Sequence, residues 1–135
     1  MSLVLIKNAF YTKISSINPK IATAYEGKAY TPISNIPYQE LYLLPADNNA
    51  PYLNEKTYLA RGIFQITLKY PFGNYTDDVQ NRAQLYIDNF LQGTKLTSGD
   101  ITVTITDTPD TVTLGQDGDR YVIAVSIPWK SLIEK

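Results

Sequence analysis

Cysteine and histidine are both absent from this sequence. Without cysteine there is no disulfide framework and no thiolate metal site. Without histidine there is no imidazole ligand, and Ser–His–Asp and Cys–His nucleophilic machinery is excluded. No stretch approaches the ~18 uninterrupted apolar residues of a membrane span. The apolar run Leu3-Val4-Leu5-Ile6 has no basic region before it and no small-residue cleavage site after it, so it does not read as a signal peptide. A large basic excess is lacking too: the formal net charge is −1. Proteins that bind nucleic acid by neutralising phosphates carry such an excess, so specific nucleic-acid binding is not expected. A glycine-rich phosphate loop is missing, because Gly62 and Gly73 stand alone.

What remains is a chain of 135 residues, read as a single domain over 1–135. A chain of this size buries roughly two-thirds of its unfolded surface, enough for a core without staples. Charge is unevenly spread. Residues 70–119 hold eight Asp against Arg82 and Lys95, whereas residues 1–69 hold seven Lys/Arg against four Asp/Glu. The acidic region is either a solvated face, a surface that meets a basic partner, or one that repels passing DNA. Eleven tyrosines lean towards oligomerisation, since tyrosine covers apolar surface while its hydroxyl stays wet.

The stretch from Thr57 to Gly93 organises the rest. Tyr58, Ala60, Gly62, Phe64, Ile66, Leu68 and Tyr70 alternate with a mostly polar set, the period of a half-buried strand. Thirteen residues is about twice a typical strand, so part of it should project beyond its neighbours. Gly62 within it marks a bulge or a close backbone approach. After a Pro71-Phe72-Gly73 corner comes a helix from about Thr76 to before Gly93, with Asn74 or Thr76 as cap and Asp77 and Asp78 in its first turn. Its stripe of Val79, Ala83, Tyr86, Ile87, Phe90 and Leu91 is expected to pack on the Phe64/Ile66/Leu68 face.

Before this stretch, residues 2–18 predict a helix with Leu3, Ile6, Phe10, Ile14 and Ile17 on one face, ended at Asn18-Pro19. Short strands are predicted at Ile21–Tyr25 and Tyr38–Leu44. The connector 45–56 is long for a hairpin and is expected to be functional or partner-bound. After the stretch, Ile101–Ile105, Val112–Leu114 and Tyr121–Ile127 read as strands, with turns at Ser98-Gly99-Asp100 and Asp117-Gly118 and a stop at Pro128. The expected fold is α+β: a single, mostly antiparallel or mixed β-sheet with two main helices packed on it.

Paired acids are the only candidates for chemistry. Asp107, Asp110, Asp117 and Asp119 could offer oxygen ligands to a divalent cation, but EF-hand spacing and a closing bidentate Glu are absent. Hairpin turns that use Asp for local hydrogen bonds account for them better. No catalytic residue, cofactor or metal is assigned, and the chain is not read as an enzyme. The lone Trp129 either anchors an interface or closes the core.

The motif order carries a resemblance. Ala29-Tyr30-Thr31-Pro32, Pro37-Tyr38 and Leu44-Pro45-Ala46 come before the long strand. Gly62-Ile63-Phe64-Gln65, Tyr70-Pro71 and Gly73 follow, then Leu96-Thr97-Ser98-Gly99 and Gln116-Asp117-Gly118-Asp119-Arg120-Tyr121. This ordered series covers almost the whole chain. It resembles the tail terminator proteins of long-tailed phages, of the minor tail protein U type. The resemblance implies a small α+β domain that forms a hexameric ring on the finished tail tube, stops its polymerisation and gives the head connector a docking surface. No catalytic residues come with it. Its implied partners are other copies of the chain, the tail tube protein and head–tail connector proteins. Its implied location is the virion tail, assembled in the bacterial host cytoplasm. A head–tail joining or head-completion protein and a non-viral protein-binding module are the alternatives.

On that reading, Pro51, Tyr52, Leu53, Tyr58, Leu59, Arg61 and Trp129 are the candidate subunit-interface residues. Asp107, Asp110, Asp117 and Asp119 are the candidates for an acidic channel surface, where repulsion keeps DNA from sticking.

Overall fold

The computed structural model describes residues 2–46, 57–73 and 76–134. The element order is α1 (Ser2–Ser15), β1 (Ala22–Tyr25), β2 (Tyr38–Pro45), β3 (Thr57–Pro71), α2 (Asp77–Asn89), β4 (Lys95–Ser98), β5 (Ile101–Ile105), β6 (Asp110–Asp117) and β7 (Arg120–Glu134). The expected α+β class is what is seen. One seven-stranded mixed sheet runs β1-β2-β3-β7-β5-β4, and β6 also pairs with β7. Among the described strands, only β1 and β2 are parallel. The remaining pairs are antiparallel.

The frame is the pairing of β3 with β7, fifteen residues each, which runs without a register shift from Thr57↔Glu134 to Pro71↔Arg120. Period-two alternation aims Phe64, Ile66 and Leu68 to the same side as Ile127, Val125 and Ile123, their direct cross-strand partners. All six are buried, and they form the floor of the core. Both helices lie on this inner face. Helix α1 contributes Ile6, Ala9, Phe10 and Ile14, and α2 contributes Val79, Ala83 and Tyr86, with Phe90 just beyond its end. Phe10 joins the layers: its ring stacks on Phe64 at 4.4 Å between centroids and meets Phe90 at 5.9 Å.

Several predicted boundaries shift for identifiable reasons. Helix α1 ends at Ser15 rather than Asn18, and the backbone tightens into i→i−3 bonds from Ser16 to Lys13 and Ile17 to Ile14. That tightening keeps Ile17 buried. Thr76 occupies the N-cap of α2 without a side-chain cap bond. Leu3 and Leu91 extend the predicted apolar stripes but are exposed. Four strands follow α2, because Lys95–Ser98 forms a hairpin with β5.

Pro128 does not end the last strand. A strand residue's N and C=O point to the same side. The Pro128 carbonyl accepts from Thr106 N at 3.1 Å, so its nitrogen faces the same gap, where β7 changes partner from β6 to β5. No β3 ladder bond is lost, and the strand continues for six residues to Glu134.

Gly62 marks a close approach, with unbroken register on both sides. A Cβ there would lie 2.5 Å from the Leu44 carbonyl oxygen and 2.9 Å from Trp129 Cζ2. The sheet's bulge is elsewhere, between Thr113 and Gly115 in β6.

Candidate functional site

A sheet with both helices on one side leaves its other side to be covered by something else. The outer face divides into two halves. At one end it is closed by the irregular segment between β1 and β2. Arg120 is buried there, donating from Nη2 to the Ile33 carbonyl at 2.7 Å and from Nη1 to the Ile36 carbonyl. Its guanidinium lies over the Tyr38 ring, 5.1 Å from the centroid. Lys69 bonds Glu40 at 3.2 Å across the same strands. Burial pulls the Lys69 pKa down, but the hydrogen bond and charge of Glu40 outweigh it, and the net shift is upward.

At the other end the outer face is open. Leu44, Ile63 and Pro128 lie side by side across β2, β3 and β7. The next row along the strands is Arg61 opposite Lys130, and the row after that is Leu59 opposite Leu132. Ile63 is 40% exposed, Leu44 45% and Leu132 53%. Arg61 and Lys130 are exposed like charges in direct cross-strand opposition, an arrangement that is mildly destabilising by itself. Neither has a carboxylate partner among the described residues. A concavity of about 390 Å³ opens here, lined by Leu59, Arg61, Ile63, Pro128 and Lys130 among others.

The inner face also holds charge, fully used. Arg82 on α2 is buried, and its Nε and Nη2 donate to the Tyr86 hydroxyl at 3.1 and 2.8 Å. Its Nη1 donates to the Pro19 carbonyl. The Tyr86 hydroxyl in turn donates to Gln39 Oε1, and Gln39 Nε2 donates to Thr23 Oγ1 at 3.0 Å. This chain of bonds ties α2 to β2, β1 and the turn after α1. Burial raises the Tyr86 pKa, against the lowering pull of Arg82. Sequence reasoning missed both buried arginines. Arg82 does follow Val79 by three residues on the buried stripe, which is the signal that was there to read.

The predicted interface residues do not form one cluster. Pro51, Tyr52 and Leu53 lie outside the described residues. Tyr58 is in β3, opposite Ile133. Leu59 is half-buried and Arg61 exposed, both on the open outer face, so the structure brings these two together. Ala60 between them is buried on the inner face. On the edge away from β7, no described strand lies beside Thr57–Arg61, since β2 stops at Pro45 opposite Gly62. Trp129 is 1% exposed and closes the core against Gly62, and its Nε1 has no acceptor among the described residues. The four acidic candidates, Asp107, Asp110, Asp117 and Asp119, are all exposed, on β6, its tip and the loop leading into it. Strand β6 is exposed along nearly its whole length, with Val112 and Leu114 at 52% and 59%. Among the described residues no group of acids is gathered as a metal site, and no helix is long and apolar enough to cross a membrane.

The described residues form a small α+β fold with one apolar, cationic face open. The model of the family described as phage tail terminator protein matches residues 5–129, and the chain belongs to that family. It is therefore a structural protein of phage tail completion, located in the virion tail and interacting with tail and head components. No curated protein matches the chain. Among solved structures, one superposes with a TM-score of 0.77 at 20% identity, covering 97% of this chain and 96% of its own. At that identity the likeness speaks for the fold alone.

Proposed function

We propose that this chain assembles into a homo-oligomeric ring, a hexamer, on the end of the finished tail tube. There it stops addition of tube protein and presents the surface to which the head connector docks. The observation that carries this reading is the family match over residues 5–129. The open outer face and the edge of β3 at Thr57–Ala60, beside which no described strand lies, support it, because a subunit that closes a ring needs surface left over after its own core is built. The hairpin tip, with Asp117 and Asp119, faces the lumen in this arrangement, where negative charge lets DNA pass without sticking. The role calls for binding and blocking, with no bond made or broken.

Light scattering of the purified protein, alone and with tube protein, tests the ring: a discrete mass near six copies is expected. Tails of unregulated length from a phage lacking the gene would establish the terminating role. A chain that stays monomeric at high concentration with tube protein present would overturn the proposal.

A further inference from the structure

The open outer face poses a specific problem of charge. Arg61 and Lys130 stand opposite each other, exposed, with apolar Ile63 and Pro128 as the next residues on the same face. Two like charges side by side on an apolar surface are poorly placed unless an acidic group comes to them. We infer that this face is one half of a head-to-tail contact between copies of this chain, and that the outward face of β6, carrying Asp110 and Val112, is the other half. The inference rests on the ring reading above and names the surfaces that would build it.

Three observations favour β6 as the occupant. The first is charge: residues 107–119 contain four Asp and no Lys or Arg, opposite in sign to the Arg61/Lys130 pair. The second is exposure. Val112 and Leu114 are large apolar side chains more than half exposed, on a strand with no described strand along its outer edge. The third is spacing. Asp110 and Val112 pair with Ser126 and Ala124, so they share one face of the sheet. Residues two apart on one face of a strand are separated by roughly 6.8 Å. The same interval separates Arg61 from Ile63 and Lys130 from Pro128. A copy that brings Asp110 onto the cationic pair therefore brings Val112 onto Ile63 and Pro128 or, laid in the opposite direction, onto Leu59 and Leu132.

The two halves do not meet within one chain. Asp110 lies opposite Ser126, four residues along β7 from Lys130 and so roughly 13 Å from it. Each copy offers both halves, on the outer face of its sheet.

The test is reciprocal charge reversal, read as mass by light scattering and as dissociation constant by sedimentation. Circular dichroism confirms that each variant is folded. Arg61→Glu with Lys130→Glu should weaken assembly at least tenfold, and Asp110→Lys alone should do the same. The three changes together should restore assembly. Lys20→Glu, an exposed reversal away from both halves, should leave it unchanged. If the Arg61→Glu/Lys130→Glu variant assembles like the wild type, the outer face is not used, although the ring stands. If each set of reversals disrupts assembly and the combination does not recover, β6 is not the partner of that face. If the wild type itself never assembles, with or without tube protein, the ring reading has failed and this contact with it.

Discussion

The two faces of the sheet use their polar groups in opposite ways. On the inner face, Arg82, Tyr86, Gln39 and Thr23 form a closed chain of hydrogen bonds, and the apolar floor of β3 and β7 is roofed by both helices. On the outer face, Arg120 is similarly consumed by the carbonyls of Ile33 and Ile36, but Arg61 and Lys130 have no partner among the described residues. The chain thus spends two arginines on tying irregular segments to its scaffold and leaves two cations on an apolar surface. Satisfied charges serve the fold. Those without a partner among the described residues stand beside exposed Ile63 and Leu132, on the surface proposed above for a second copy.

Substitutions can break this contrast. The largest loss of stability is expected from Phe10→Ala, which removes a fully buried ring that contacts Phe64 and Phe90. A cost of about 3–5 kcal/mol, read from denaturant unfolding, is expected. Gly62→Ala comes next, at about 3 kcal/mol, because its Cβ would meet backbone atoms that cannot yield. A Gly62→Ala protein as stable as the wild type would show that β2 and β3 separate more easily than the ladder implies.

Arg82→Met keeps the length of the side chain but strands the Pro19 carbonyl. A loss of about 2 kcal/mol is expected, with β1 and the turn after α1 showing the greatest gain in amide exchange. By contrast, Arg61→Ser should change stability by no more than about 0.5 kcal/mol while weakening self-association. If Arg61→Ser destabilised the monomer as much as Arg82→Met does, the distinction between the buried, bonded cation and the exposed one would be lost.

The smallest effect is with pH. Burial raises the pKa values of Tyr70 and Tyr86 above the ordinary tyrosine value of 10.0. A group whose folded pKa lies above its unfolded one holds more protons when folded. Its stabilising contribution is complete below the unfolded pKa and is lost as pH rises through the folded one. Stability should therefore be level towards pH 9 and fall above about 10. Tyr86→Phe should shallow that fall, as thermal unfolding across the alkaline range would show.

The legible parts of this molecule are those governed by neighbours in sequence. Alternation from Tyr58 to Tyr70 places β3, and the buried set of Phe64, Ile66, Leu68, Val79, Ala83 and Phe90 follows from two local periods. Gly118, at φ +62°, makes the β6–β7 turn that an Asp-Gly pair announces. Ile87 and Leu91 extend the α2 stripe in sequence yet are less covered, since the helix ends at Asn89 and the chain turns away. The open outer face was legible only in fragments. Leu59 and Arg61 can be singled out on β3, but Lys130 and Leu132 lie beyond a proline that reads as a stop.

What the sequence by itself determined was the set of elements, the face of β3 that becomes core, and the ordered motifs that resemble the tail terminator family. These rest on periods of two and 3.6 residues and on turn chemistry, which act over a few positions. Only the tertiary structure decided that Pro128 sits in a gap between two partner strands, that Arg82 and Arg120 are buried on carbonyls 63 and 84 residues away, and that Arg61 stands beside Lys130. Each of these depends on which distant strand lies alongside which. That is settled by packing of the whole sheet, because no local rule carries information across so many residues.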